Sequence, residues 1–293
     1  MALTLSGIAV GVAQERAKQP GLRATSGPVV TVTSLTGQGL ALISPASSNF
    51  DDAIRRLLPD RIAGPALATK PYLVILSNQS GHTIVAFSTV WDITYTDRSR
   101  QRTLAPILFV DAVSGADDAP TLDPAGGVPP VASGEERVVA METEFRPSTD
   151  KLSEEEDINL VSWLRATTQD YKAKAVAQMQ IRLDAAIFSD GLLVGPNVSN
   201  LDVGFTAKLE AKQKLFQQIV GDLDAGHTLE EAFEPAKTQA IAVPSRERSV
   251  LYGVLAAQEV VALRRRVGDA AVPALFRQAI RKRPFVVKRS QTQ

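Results

Sequence analysis

Few side chains in this sequence have the type and spacing to do chemistry. His82 and His227 are its two histidines, so an imidazole base or ligand must be one of them. His82 follows the turn Asn78-Gln79-Ser80-Gly81, with no nucleophile or orienting carboxylate close to it in sequence, and reads as a turn-flanking surface residue. His227 sits between Gly226 and Thr228-Leu229-Glu230-Glu231 and reads as a helix-junction residue. Asp184 and Asp190 are candidates for a carboxylate pair or a metal site. Six extended steps between them span roughly 20 Å, too far for a glycosidase pair, so Asp190 reads as a turn residue. Asp117, Asp118 and Asp123 offer oxygen to calcium, but the segment lacks the alternating ligands, fixed glycine and terminal bidentate acid of an EF-hand loop. Glu154-Glu155-Glu156-Asp157 reads as a solvated face or a helix N-terminus.

The basic residues are concentrated late. From Ala240 to Gln293 there are eleven Lys/Arg against three Asp/Glu, whereas Lys151 to Gln239 holds nine against fourteen. Arg264, Arg265 and Arg266, with Arg281, Lys282, Arg283, Lys288 and Arg289, form a candidate surface for an anionic partner; the plainer reading is a solvated basic tail. Over the whole chain 32 Lys/Arg balance 32 Asp/Glu, which argues against a dedicated nucleic-acid binder. The absence of cysteine excludes disulfides, thiolate metal sites and a cysteine nucleophile. Gly195-Pro196-Asn197 and Ala125-Gly126-Gly127 do not make a phosphate loop, and neither G-x-S-x-G nor H-E-x-x-H occurs. No catalytic residue, cofactor or metal is assigned on these grounds.

The element that must position these groups is Ala175 to Pro196. Ala175, Ala177, Met179, Ile181, Leu183, Ala185 and Ile187 are apolar at every second position, against Gln178, Gln180, Arg182 and Asp184 in the other phase. That period makes a strand with one apolar face, and Ser189-Asp190-Gly191 turns it into Leu192-Leu193-Val194 as a hairpin. Upstream, Val29 to Thr33 and Leu40 to Ile43 read as a hairpin through Gly37-Gln38-Gly39, and Asn49 to Leu58 as a short helix before Pro59. Pro65 to Thr69 reads as loop. Tyr72 to Leu76 is a strand, and His82 to Tyr95 a long one whose apolar phase shifts between Ala86 and Trp91, suggesting a bulge. Leu104 to Val113 is a strand that Pro106 places at an edge or delays. Ser114 to Pro130 is loop, Arg137 to Phe145 a strand, and Ile158 to Ala166 a short helix.

Beyond Pro196 the period becomes helical. Asp202 to Leu223 spaces Phe205, Leu209, Leu215, Ile219 and Leu223 along one helix ending near Gly226. Thr228 to Glu231 fits a capping box, and Pro235 is expected to stop that helix. Ser245 to Val267, closed by Gly268, and Asp269 to Arg281 follow. Many short strands and then helices give an α+β chain, an antiparallel sandwich followed by a C-terminal helical region.

Two stretches carry a resemblance. Leu73 to Trp91, LVILSNQSGHTIVAFSTVW, resembles the N-x-S-G-x-x-I hairpin of bacterial immunoglobulin-like domains in exported proteins. Asp184 to Asn197, DAAIFSDGLLVGPN, followed by a long helix, is similar to uncharacterised exported bacterial proteins; the two stretches cover about a tenth of the chain. The resemblance implies an immunoglobulin-like β-sandwich and export, and brings no catalytic residues. Met1 to Ala13, MALTLSGIAVGVA, agrees with export in resembling a signal-peptide core, although no Lys or Arg precedes Glu15. The expectation is therefore a signal-like segment and linker over 1–26, a β-sandwich over 27–198 and a helical region with a basic tail over 199–293. Its function is that of a periplasmic or extracellular, non-enzymatic protein working through contact with another protein. A filament or shell subunit and a carboxylate-dependent hydrolase are the alternatives. No run reaches the ~18 apolar residues of a membrane span.

Overall fold

The computed structural model describes residues 27–108, 130–141, 144–145, 175–242, 248–281 and 285–289, with the single positions 162, 166 and 169. The signal-like segment, most of the expected 114–130 loop and the acidic run Glu154 to Asp157 lie outside them. Of the helix expected over Ile158 to Ala166, only Ser162 and Ala166 are described, both helical. The chain is α+β. It divides into two compact units, one of residues 1–107, 131–186 and 194–199, the other of 108–130, 187–193 and 200–293.

In the first unit the organising strand is β8 (Val176–Phe188). β1 (Val29–Thr33) pairs with it in parallel, from Val29 opposite Gln178 to Thr33 opposite Arg182. The order continues from β8 to β4 (Ile84–Tyr95) and to β5 (Arg100–Leu108) at the edge. Pro106 is tolerated in β5 because an edge strand has one side free of ladder bonds. Met179, Ile181, Leu183, Ala185 and Ile187 are all buried, as their phase requires, but so are Asp184, Ala186 and Phe188. β4 is covered on both faces as far as Trp91, which is why its sequence shows no single apolar phase. No bulge is needed to explain that shift.

A second sheet, β2-β3-β6-β7, is built from Leu40–Ile43, Leu73–Asn78, Glu136–Ala140 and Glu144–Phe145, all antiparallel. The strand expected over Arg137 to Phe145 is therefore two strands. α1 (Phe50–Leu57) and α2 (Asp60–Ala68) pack Phe50, Ile54 and Ile62 against Leu73, Ile75, Val138 and Ala140 of this sheet. Each such buried side chain contributes roughly 1.5–3 kcal/mol. The loop expected at Pro65 to Thr69 is in fact the end of α2. Pro65 costs one helical bond, while Ile62, Ala63 and Ala66 are buried around it.

Two further expectations are corrected by the pairing. β1 and β2 are not a hairpin, because after one bridge between Leu35 and Leu40 they enter different sheets. The wholly antiparallel arrangement is likewise corrected, since β1 runs parallel to β8; the partners are far apart in sequence and no tight turn dictates direction. β3 and β4 also part company at Asn78. The Asn78 amide is fully buried, donates to the His82 carbonyl at 2.8 Å and the Val131 carbonyl at 2.9 Å, and accepts from Ser80 N–H at 3.1 Å. The two corners meet at Gly39, where φ is +70° and an added Cβ would lie 2.8 Å from the Gln79 carbonyl oxygen.

The second unit is helical: α3 (Leu201–Asp224), α4 (Leu229–Ala240), α5 (Arg248–Val267) and α6 (Val272–Arg281). Leu215, Phe216, Ile219, Phe233, Val260 and Phe276 form its core, with Phe216 and Phe276 rings 4.2 Å apart. The Thr228–Glu231 capping box is present. Pro235 does not stop α4, which runs on to Ala240 with Phe233 and Ala236 buried on either side of it. β9 (Leu192–Val194) follows β8 through the expected turn, in which Asp190 Oδ1 accepts from Leu192 N–H at 3.0 Å. β10 (Lys288–Arg289) pairs in parallel with Leu192 and Leu193, a second departure from an antiparallel plan.

Candidate functional site

The even-numbered face of β8 carries two aspartate-centred polar clusters. At its buried end Asp184 is 3 % exposed. Its Oδ1 accepts from Val198 N–H at 2.9 Å, and its Oδ2 from Ser199 N–H at 2.9 Å and the Ser88 hydroxyl at 3.2 Å. The Ser199 hydroxyl donates to Ser88 Oγ at 2.7 Å, and Asn197 N–H to the Asp184 carbonyl at 3.2 Å. Gly195 (φ +95°) lies so close that a Cβ there would overlap the Asp184 carbonyl. Two serines and an aspartate look like the start of a nucleophilic site, but activation of serine needs a base. His82 and His227 are both exposed, whereas Ser88 is fully buried. Asp184 is a clamp that closes the 195–199 segment onto the strand.

Two residues back, the same face opens to solvent. Asp92 on β4 holds Arg102 of β5 through Nε to Oδ1 at 2.6 Å and Nη2 to Oδ2 at 3.2 Å. Its Oδ2 also accepts from Arg182 Nη2 of β8 at 2.9 Å. The side chains of Arg102 and Arg182 are 58 % and 42 % exposed. The hydrogen bond to Asp92, and then its charge, raise the Arg102 guanidinium above the ordinary arginine range. Arg182 Nε has no hydrogen-bond partner among the described residues. Thr31 and Thr33 of β1, Gln180 of β8 and Arg100 of β5 are exposed beside this ladder. Among the described residues the result is a polar sheet face bearing three arginines against one aspartate. It has the donor chemistry to take a carboxylate.

The basic surface expected from the sequence is partly committed elsewhere. Arg264 is 14 % exposed, bonded to Asp269 at 2.8 and 3.1 Å and to Glu230 at 2.9 Å, with its guanidinium 4.8 Å from the Phe233 ring centre. The Asp269 hydrogen bond raises its pKa above the ordinary arginine value. Arg264 is a packing residue of the helical unit. Arg265, Arg281, Lys288 and Arg289 are exposed, with Arg289 Nη2 3.4 Å from Asp202. Lys282, Arg283 and the Arg266 side chain lie outside the described residues, as do Asp117, Asp118 and Asp123.

Sequence reasoning missed the Asp92 ladder and a buried group in the helices. Lys208 and Lys212, one turn apart on α3, are both buried and share Glu259 of α5, Lys212 at 3.6 Å. The signal for the ladder was present as charges in one phase of adjacent strands, but it requires knowing which strands are adjacent. Among the described residues no three His, Asp or Glu side chains group as metal ligands, and no helix is long and apolar enough to cross a membrane. No protein-family model, curated protein or solved structure matches the chain significantly.

Proposed function

We propose that this chain is an exported, non-enzymatic protein of the periplasm or cell surface that works by contact with another protein, its sheets forming an immunoglobulin-like scaffold. The observation that carries the reading is the contrast on β8. The buried acid is saturated by structural donors, while the exposed end of the same face presents Arg100, Arg102, Arg182, Gln180 and two threonines to solvent. A planar array of arginine, amide and hydroxyl groups is suited to an interface, where arginine is enriched and affinity comes from desolvated contacts. The scaffold and the compartment rest on the sequence resemblance of Leu73 to Trp91 alone, since its two strands enter different sheets instead of pairing as a hairpin. Arg265, Arg281 and Lys288 add a second, basic contact area for an anionic partner.

The test has two arms. Fractionation with mass spectrometry of the native N-terminus is expected to find a chain shortened to near Gln14 outside the cytoplasm. Affinity capture from that same fraction is expected to retain a protein that the R102E/R182E double variant loses. A cytoplasmic chain starting at Met1, or a capture profile identical for wild type and variant, refutes the reading.

A further inference from the structure

The two edges of the larger sheet in the first unit are built differently. β5 carries Arg100, Arg102 and Pro106, devices that stop a sheet edge from recruiting another strand. β1 is Val29-Val30-Thr31-Val32-Thr33, five β-branched residues with no charge and no proline. Its inner edge is taken by β8. On the outer side, β2 touches only the end of the strand, through the Leu35–Leu40 bridge and the Leu42 N–H to Ser34 Oγ bond at 2.8 Å, before leaving for the other sheet. Upstream of Ser34 the outer edge has no strand neighbour among the described residues. Val29, 63 % exposed, and Thr31 and Thr33 stand beside it.

We infer that this outer edge of β1 is the place where the partner binds, by adding an extended acidic segment as a new strand. The inference rests on the protein-contact reading above and names its site and chemistry. Backbone groups of alternate β1 residues supply the ladder bonds, and β-branched side chains make the cross-strand contacts. Charge selects the occupant. Thr33 is level with Arg182, whose side chain is 42 % exposed, and among the described residues the exposed face beyond holds three arginines against Asp92. An added strand lies two strand spacings, about 10 Å, from β8. A glutamate on its exposed side can reach across Thr33 to the Arg182 guanidinium, whereas a lysine there meets net positive charge.

The experiment uses the full chain and two fluorescent ten-residue peptides, one of Val/Thr alternating with Glu and one with Lys for Glu, read by anisotropy. The acidic peptide is expected to bind about tenfold tighter, the size of one charge-assisted contact, and to lose that margin in high salt and in R182A. Proline is placed at consecutive positions, Val30→Pro and Thr31→Pro. One removes an N–H directed at β8 and lowers the melting temperature; the other removes an outward N–H, keeps the melting temperature and is expected to abolish binding. Equal affinity for the two peptides overturns the proposal, as does unchanged binding in the folded proline variant. A concentration-dependent dimer that the same proline dissolves also overturns it, assigning the edge to a second copy. If capture still finds a partner insensitive to that proline, the edge is wrong and the contact reading stands; if capture finds none, the contact reading itself is wrong.

Discussion

Asp184 and Asp92 stand on the same face of adjacent strands, and both are surrounded by donors, yet they do opposite things. The donors to Asp184 are two main-chain N–H groups and a hydroxyl fixed by the fold, and the carboxylate and the Ser88 hydroxyl are shielded from water. Those to Asp92 are two long guanidinium side chains in partial contact with solvent. A buried carboxylate bound to backbone donors becomes a staple, because water cannot replace a lost bond. An exposed one held by arginines leaves other guanidinium donors available, and water screens the pair. Only the second arrangement can offer its charge to a partner.

The largest expected effect is that of Asp184→Ala. It strands the Val198 and Ser199 N–H groups and the Ser88 hydroxyl, at about 1–3 kcal/mol per donor with the two part-buried N–H groups at the low end, so urea unfolding is expected to show a loss of about 3–5 kcal/mol. Asp184→Asn keeps one acceptor oxygen and should lose about half as much. An alanine variant within about 1 kcal/mol of wild type would mean that Asp184 is not a staple.

Next in size is Gly195→Ala. The positive φ and the overlap with the Asp184 carbonyl predict a loss of about 2–4 kcal/mol. Combined with Asp184→Ala it should cost less than the sum, because the clamped segment is already released. Additive losses would show that strand and segment are held independently.

Asp92→Ala is the matching break on the exposed side. Its expected cost is below about 1 kcal/mol, vanishing in high salt. Binding of an acidic segment should tighten, since both arginines lose their competing carboxylate. A loss comparable to that of Asp184→Ala would erase the distinction between the two sites.

How much of this was legible in the sequence follows from which interactions are local. The period of two in β8, the Asp190-Gly191 turn, the capping box at Thr228 and the helix from Leu201 to Asp224 depend on neighbours within a few residues, and each could be read. The departures come from distant packing. Pro65 and Pro235 lie inside helices because buried alanines and aromatics hold the turns around them. Val29 to Ile43 has every local mark of a hairpin, yet its strands part, because pairing with Gln178 to Arg182 on one side and with Ile75 to Asn78 on the other replaces pairing with each other. Asp184 could be singled out as an acid in a polar phase, but its donors lie 96 residues before it and up to 15 after it. Arg182 was visible in the same phase; that Asp92 and Arg102 would join it depends on strand order, which period and composition do not encode. The basic run at Arg264 shows the converse error, since counting charges cannot tell which guanidinium is consumed by Asp269 and Glu230.

Glu231 is a third carboxylate, also held by a main-chain donor, and the one with the least at stake. It accepts from the Thr228 N–H at 2.8 Å and from the Thr228 hydroxyl at 2.7 Å, but on an exposed helix start. The hydroxyl bond, and then the backbone bond, hold its carboxyl below the ordinary glutamate range. Glu230 is lowered too, by Lys237 and then Arg264, and Asp269 by Arg264. A depressed carboxyl contributes stability that is fully present above its unfolded value, about 4, and is lost as pH falls through the folded value. The helical unit should therefore weaken on acidification from about pH 5 downward. Glu231→Gln removes one titrating group, so its melting temperature should fall less steeply with pH over that interval while differing little from wild type at pH 7. If the two acid limbs superimpose, the backbone bond to Glu231 carries no weight in water, and burial alone separates Asp184 from Glu231.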